Sequence, residues 1–369
     1  MRICHITSVH NYNDTRITLK ECVSLKEAGN EVHLVTINEK DLKYKGIYIH
    51  GLKRKRQSRI KRIISSSKQF YKKALEIDAD IYHFHDPELI PLGKKLIKKG
   101  KKVIYDVHED VPRQIMSKYW IPNNLRTITS KVFEVYENNS VKKFSGIITA
   151  TPHIKNRFLD KNKHVVDIKN YPILNELFIS KKYINPAKEN SMIYIGGISE
   201  KRGLFTMVNA LNKLSNVQLK LAGTFSNDKE YQKVKKSQKW DKIDFLGFIG
   251  REEIRENLNK SKVGLVVLHP LASYKDSLPI KMFEYMAAGL PVVASSFPLW
   301  EEIIIKNNCG ICVNPKSSQE IAEAVRWIIE NPIKSNEMGK RGRMAIEKEY
   351  NWEIESLRLI EFYNNIKDD

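Results

Sequence analysis

The chain reads as α/β in class: two Rossmann-like domains, each a mostly parallel sheet covered by helices. Three observations predict this. Its 369 residues exceed what one ordinary core organises. Short apolar runs alternate with amphipathic segments along nearly the whole length. That alternation pauses once, near the middle, and then begins again.

Each element follows from its own residues. In the first domain, residues 1–172, strands are expected at Arg2–Ile6, Glu31–Thr36, Ile81–Phe84, Lys102–Asp106 and Gly146–Ala150. Helical spacing covers Ile17–Ala28 and Pro87–Lys98, and Gly29-Asn30 is a stop signal for the first of these. Lys169-Asn170-Tyr171-Pro172 and the polar stretch Ser180–Ser191 interrupt the pattern, giving a linker at 173–190. The second domain, 191–350, has expected strands at Met192–Ile195, Val217–Leu221, Ile243–Leu246, Val263–Leu268, Pro291–Ala294 and Gly310–Val313. Helices are expected at Leu204–Leu214, Glu252–Lys260, Pro279–Ala288 and Ser318–Asn331. Residues 351–369 carry a last helix, Trp352–Ile366, expected to pack back toward the first domain. Two such domains define a cleft, because open α/β sheets bind ligands beyond the carboxyl ends of their strands.

Bulk properties narrow the class. No stretch of 18 apolar residues predicts a spanning helix. Met1-Arg2-Ile3-Cys4-His5-Ile6 lacks the charged lead and long apolar run of a signal peptide, so a cytoplasmic site of action is expected. Cys309-Gly310-Ile311-Cys312 is a single C-x-x-C without a second ligand pair, which favours small residues flanking a strand over a metal or redox site. The formal net charge is +20. It is uneven: through Pro172 there are 34 Lys and Arg against 18 Asp and Glu, and from Lys43 to Lys73 twelve cations and no acid. Ile60, Ile63, Ile64, Tyr71, Ala74 and Leu75 fit one helical face there, leaving the cations in water. Such a surface attracts polyanions. No nucleic-acid motif accompanies it, so nucleic acid is not the expected partner.

The most informative run is Asp276–Ser295. Pro279 suits a first helical turn, Ser277 is placed to cap free amides, and Gly289 with Pro291 ends the helix. The amides from Leu278 to Lys281 and the helix dipole form an anion seat. Lys281 adds a cation in the first turn, where it opposes the dipole, so a bound anion explains it better than helix stability does. Asp276 before the helix and Glu284 within it offer carboxylates to a diol such as ribose or a hexose. The bland alternative is a loop cap and a solvated helix residue.

This run resembles the signature of the family 4 glycosyltransferases, retaining enzymes of GT-B fold: Glu-x7-Glu, a small-residue helix and Gly-x-Pro-Val. Asp276 stands at the first acid, which in the family contacts donor-sugar hydroxyls, and is one carbon shorter. Glu284 stands at the second, which holds the nucleotide ribose. Tyr194–Leu204 resembles the segment whose Arg and Lys grip the donor diphosphate; Gly197 falls at the arginine position and Arg202 at the lysine position. Lys281 is the expected replacement for the missing cation. Leu246-Gly247-Phe248-Ile249 resembles the loop beside the base, so the resemblance places Phe248 and Ile249 there; a buried strand end is the alternative.

In the first domain, His83-Phe84-His85-Asp86 and Asp106-Val107-His108-Glu109 close neighbouring strands, where a cleft is expected. Clustered histidines and carboxylates invite a metal reading, but H-x-H-D alone is a weak signal, and the family does not need a metal. By resemblance His108 contacts the donor sugar and supports transfer, while His85, Asp86 and Glu109 line the acceptor side. The loop Ser8–Arg16 lacks the family's glycine pair; His10, Asp14 and Arg16 are assigned to donor phosphate or acceptor, with helix capping the alternative for Asp14.

The resemblance implies transfer from a nucleoside-diphosphate sugar, of UDP or GDP type, to a glycan or lipid-linked saccharide of a surface polysaccharide, with no cofactor and no metal. The cationic run then suggests attachment to the inner membrane face, each cation near an anionic leaflet contributing about 1 kcal/mol. A Lys-, Asn- and Ile-rich composition points to a low-GC bacterium. Two rival classes remain: a nucleotide-sugar 2-epimerase on the same plan, and a non-catalytic polyanion binder.

Overall fold

The computed structural model describes residues 1–53, 59–116, 118, 121–174, 176–177 and 188–368, with side chains in the helix Arg59–Ile77 described from residue 68 onward. Residues 54–67 of the cationic run Lys43–Lys73, including Ile60, Ile63 and Ile64, therefore lie outside the described side chains. The chain forms two compact units, Met1–Asn170 with Ile354–Asp369, and Tyr171–Glu353.

The first unit is built on an eight-stranded sheet. In chain order its strands are β1 (Arg2–Ile6), β2 (Glu31–Ile37), β3 (Leu42–Tyr44), β4 (Ile47–Leu52), β5 (Ile81–Phe84), β6 (Lys102–Val107), β7 (Gly146–Thr149) and β8 (Val165–Asp167). Across the sheet they run β3-β4-β2-β1-β5-β6-β7-β8. Only β3, paired to β4, is antiparallel. β1, β5 and β7 are almost wholly buried, as strands covered on both faces must be. The last helix, Trp352–Asp368, runs into this unit. A Cβ on Gly146 would stand 2.6 Å from Phe362, and Lys102 Nζ donates to the Ile366 and Lys367 carbonyls that end the helix.

Three local departures matter. β3, β4 and β8 were not expected: β3 and β8 are three-residue edge strands, β4 lies between β3 and β2, and Lys43, Lys45 and Lys53 disguise the first two. The segment expected as one helix over Ile17–Ala28 is instead a π-helix, Thr15–Cys22, followed by an α-helix, Val23–Glu27. The wider turn brings Arg16, Lys20 and Glu21 inside together with Ile17 and Cys22. A long helix, Asn123–Val141, was missed because its buried residues are Ser130, Glu137, Ser140 and Val141, while Leu125, Ile128, Val132 and Val135 are exposed.

The second unit has a six-stranded parallel sheet: β9 (Ser191–Ile195), β10 (Gln218–Ala222), β11 (Ile243–Gly247), β12 (Val263–Val266), β13 (Val292–Ser295) and β14 (Gly310–Val313). Their order is β11-β10-β9-β12-β13-β14. The order reverses between β9 and β12, the point where ligands bind such sheets. Aliphatic and aromatic clusters cover both faces, one around Met282, Tyr285 and Trp300 and the other around Leu204, Leu211 and Ile321. Cys309 just precedes β14 and Cys312 lies within it; both are free thiols, and burial pushes the pKa of each up to about 12.

Candidate functional site

In the second unit the two loops at the switch point converge. After β9 the chain passes Gly196, Gly197 and the short turn Glu200–Arg202 before the helix Leu204–Leu211. Gly203 carries a positive φ of 84°, and a Cβ there would stand 2.2 Å from the Val267 carbonyl just past β12. Only glycine allows that approach. His269 N donates to the Lys201 carbonyl and ties the same two loops together.

Two cations end at this junction. A Cβ on Gly196 would stand 3.1 Å from Lys281 Nζ and 3.8 Å from Arg202 Nη1, and one on Gly197 would stand 3.4 Å from Arg202 Nη1. Lys281 comes from the first turn of the helix Ile280–Ala287. Its Nζ is buried, lies 3.9 Å from the centre of the Tyr194 ring, and finds no hydrogen-bond partner among the described residues. Burial, then the neighbouring Arg202 guanidinium, holds it well below the usual ammonium range. A buried amine without a partner is costly, and an anion at the loop supplies what it lacks.

The helix tip differs from expectation. Pro279 occupies the N-cap position rather than the first turn, and no side chain caps the helix. Ser277 does not serve: its hydroxyl donates to the Tyr274 carbonyl, and its own carbonyl accepts from Trp300 Nε1. The first amides of the helix are thus left for another acceptor. Leu278 is half-buried against the core. Asp276 is exposed at the end of the short helix Ala272–Lys275.

Glu284, three residues beyond Lys281 and on the same helical face, is only 6% exposed. Arg251 Nη1 donates to its Oε1 at 2.6 Å. Phe248 is 89% exposed, so the strand-end alternative fails for it; Ile249 is half-buried and packs on the core.

In the first unit the expected residues separate into two groups. His10, Asp14, His108 and Glu109 retain exposure. Asp14 caps the π-helix, accepting from the Arg16 and Ile17 amides at 2.9 Å each, and its other oxygen lies 2.9 Å from His10 Nδ1. Burial raises the Asp14 pKa, but His10 and the Ile17 amide outweigh it and bring it to about 2. Glu109 accepts from the Gln114 side chain.

Arg16, His85 and Asp86 turn inward, contrary to their assignment to substrate. Arg16 meets Asp106 at 3.1 Å and Glu21 at 3.0 Å and donates to the Ile168 carbonyl. The π-turn directs it there, and a buried guanidinium requires those oxygens. Asp86 accepts from the Thr7 hydroxyl, the Ser8 amide and the Ser8 hydroxyl, and so fixes the loop after β1. His85 Nδ1 lies 3.2 Å from Asp106 Oδ2, and His108 Nε2 lies 2.5 Å from the same oxygen. His85, Asp106 and His108, and separately His5, Glu21, His83 and His85, bring nitrogen and oxygen atoms within 4.8 Å, close enough to hold a cation. Arg16 already places a fixed positive charge against that cluster.

Comparison with known families decides the assignment. The model of Glycosyltransferase Family 4 matches residues 16–169, and that of Glycosyl transferases group 1 matches residues 175–345. The chain belongs to the family 4 glycosyltransferases.

Its two parallel-sheet units are of GT-B type. The chain is similar to the sucrose-phosphate synthase of Thermosynechococcus elongatus, with a TM-score of 0.81, 18% identity, and coverage of 99% of this chain and 98% of that one. It is also similar to the Anabaena HepE protein in complex with UDP and glucose, with a TM-score of 0.76, 13% identity, and coverage of 99% of each chain. At these identities the likeness is one of fold. In sequence it is 20% identical over 177 residues to the glycogen synthase of Mycobacterium tuberculosis, covering 47% of this chain and 42% of that protein. The match thus spans less than half of that curated relative. Among the described residues of this glycosyltransferase, no helix is long and apolar enough to cross a membrane.

Arg251, Glu176, Tyr363 and His5 carry contacts that the sequence reading did not identify, and Asp106 has a role that it did not assign. Arg251 and its second partner Glu176 lie 75 residues apart, and no local pattern joins them. Asp106 was read as a strand end, although a carboxylate flanked in sequence by His108 was the available signal. Tyr363 and His5 meet across 358 residues.

Proposed function

We propose that this glycosyltransferase takes a nucleoside-diphosphate sugar and transfers its sugar, with retention and without a metal, to a glycan or lipid-linked saccharide in surface polysaccharide synthesis. One observation carries the reading. Lys281 Nζ, buried and without a partner, converges with Arg202 on the Gly196–Gly197 loop at the switch point, with Glu284 one turn farther along. Cations and free helix amides suit a diphosphate, and a nearby carboxylate suits ribose hydroxyls.

The chemical demand is negative charge on the leaving diphosphate as the anomeric bond breaks. Arg202, Lys281 and the tip of the helix Ile280–Ala287 are preorganised for it, with Gly197 leaving room on the loop and Leu278 and Pro279 carrying the backbone of the tip. Phe248 and Ile249 are assigned to the base, Asp276 and His108 to the transferred sugar, by family resemblance. The acceptor attacks from the face the diphosphate leaves, so no enzyme nucleophile is needed. The complex of HepE, a protein of the same fold, with UDP and glucose supports a donor of this class.

Calorimetric titration with UDP, GDP and their sugars tests this directly. Binding by the wild type, with loss in both Arg202→Ala and Lys281→Ala, is expected. No binding of any nucleoside diphosphate sinks the donor assignment, and an epimerised nucleotide sugar formed without acceptor replaces transfer with 2-epimerisation. Product anomeric configuration, read by proton NMR, decides retention.

Attachment to an anionic membrane face is part of the same reading. The cationic run Lys43–Lys73 supports it, and so does the exposed stripe Leu125, Ile128, Val132 and Val135 beside Lys131. Co-sedimentation with phosphatidylglycerol vesicles but not phosphatidylcholine vesicles is the expected result; equal recovery with neither rejects it.

A further inference from the structure

We propose that Tyr363, His5 and His85 form a one-way hydrogen-bond chain that positions His108, with Asp106 as the acceptor the two histidines share. The contacts are continuous. The Tyr363 hydroxyl lies 2.7 Å from His83 Nδ1 and 3.2 Å from His5 Nε2. His5 Nδ1 lies 2.9 Å from His85 Nε2. His85 Nδ1 lies 3.2 Å from Asp106 Oδ2, which His108 Nε2 meets at 2.5 Å. Tyr363, His5, His85 and Asp106 are each no more than 3% exposed, so water does not complete these bonds.

The direction of the chain follows from its end. Arg16 and the two imidazoles hold Asp106 ionised, well below the usual carboxylate range. Glu21, which faces the same group from the π-helix, is pushed well above its ordinary value by burial and by Asp106, so it is the protonated member of the pair. An ionised Asp106 only accepts, so His85 Nδ1 and His108 Nε2 both carry hydrogen. Burial holds His5, His83 and His85 neutral. His85 Nε2 is then an acceptor, and His5 Nδ1 donates to it. His5 Nε2 is an acceptor in turn, and the Tyr363 hydroxyl donates to it. The Tyr363 oxygen accepts from His83 Nδ1, which leaves His83 Nε2 bare. That nitrogen is the one ring atom of these histidines with no hydrogen-bond partner among the described residues.

Every donor in the chain has one acceptor, and reversing any link leaves two donors or two lone pairs facing each other. The chain therefore fixes His85 as a donor to Asp106. Otherwise its Nδ1, 3.3 Å from His108 Nε2, would draw that ring's hydrogen away from the carboxylate. With the chain intact, His108 is held to Asp106 through Nε2–H. Aliphatic side chains would stabilise this core better than five buried polar ones. Tyr363, His5 and His85 are accordingly positioning residues, and His108 is the group they serve.

Histidine-selective 15N NMR of the full-length wild type is the first test. Hydrogen on Nδ1 of His5 and His85 and on Nε2 of His108 is expected; hydrogen on Nε2 of His85 overturns the chain whatever the variants do. Tyr363→Phe keeps the ring and removes only the hydroxyl. It should mix the tautomers of His5 and His85 and lower kcat roughly fivefold to tenfold, about one hydrogen bond, with donor KM unchanged. Unchanged tautomers, or a KM effect without a kcat effect, reject the positioning role. The kinetic half rests on His108 serving the transferred sugar. If no donor is turned over, that reading falls, while the tautomers still decide the chain.

Discussion

Arg251 Nη1 lies 2.6 Å from Glu284 Oε1, so the carboxylate assigned to ribose is held in place before any nucleotide arrives. The same guanidinium grips Glu176 through Nε and Nη2 at 2.6 and 2.7 Å. Arg251 is thus the support of a binding residue, fixed by a planar two-pronged pair that lysine cannot reproduce. Arg251→Met should leave Glu284 buried without a counter-charge. Because the guanidinium is one-third exposed, the stability loss should be only about 1–2 kcal/mol. Nucleoside diphosphate affinity should fall about tenfold, read by calorimetry.

Lys281 behaves in the opposite way. Removing an unpartnered buried amine relieves a cost, so Lys281→Met should raise the melting temperature of the ligand-free protein while weakening diphosphate binding by about tenfold to a hundredfold. A variant that loses stability and keeps its affinity would show that the amine serves the fold.

The depressed Lys281 pKa also has a signed consequence. Between its folded value and the unfolded value near 10.5 the unfolded chain binds the extra proton, so stability gains from this group as pH rises through that window. A diphosphate beside the amine raises the folded value again. Binding should therefore take up a proton, seen as a dependence of calorimetric enthalpy on buffer ionisation enthalpy, and Lys281→Met should abolish the dependence.

Asp14 and His10 predict an acid-sensitive loop. The Asp14 value of about 2 lies below its ordinary 3.8, so its contribution is present above pH 3.8 and is lost as pH falls toward 2. His10 is raised by its bond to Asp14, so its share is present below about 6.5 and fades as pH climbs past its folded value. Asn at position 14 can still cap a helix. Asp14→Asn should cost about 1 kcal/mol at pH 5 in urea unfolding and almost nothing at pH 2.

Arg16 holds the densest buried charge in the first unit. Arg16→Met strands Asp106 without its cation and should destabilise by about 3 kcal/mol, with a matching fall in urea midpoint. A near-neutral outcome would mean that Asp106 takes up a proton instead.

The sequence reading succeeded where one element explains itself. β1, β5, β9 and β12 are short apolar runs that only a doubly covered sheet accommodates, so they were legible one by one. The segment from Asp276 to Ser295 was legible because its proline, its glycine, its lysine and its acids all act within one loop and one helix. It failed where a neighbour decides the outcome. Ser277 has the chemistry of a cap, yet Tyr274 and Trp300 claim its hydroxyl and carbonyl. Arg16 reads as a group for donor phosphate or acceptor until the π-helix carries it to Asp106.

The amino-acid order alone determined the two parallel-sheet domains and the family, and it supplied the cations and acids of the proposed anion seat, because alternation, turn residues and helix ends are local chemistry. Only the folded chain decided which of those charges stay unsatisfied. Lys281 is left bare, Glu284 is claimed by Arg251, and Tyr363 reaches His5 across 358 residues. Burial and pairing depend on atoms brought together from distant positions, and no spacing along the chain encodes them.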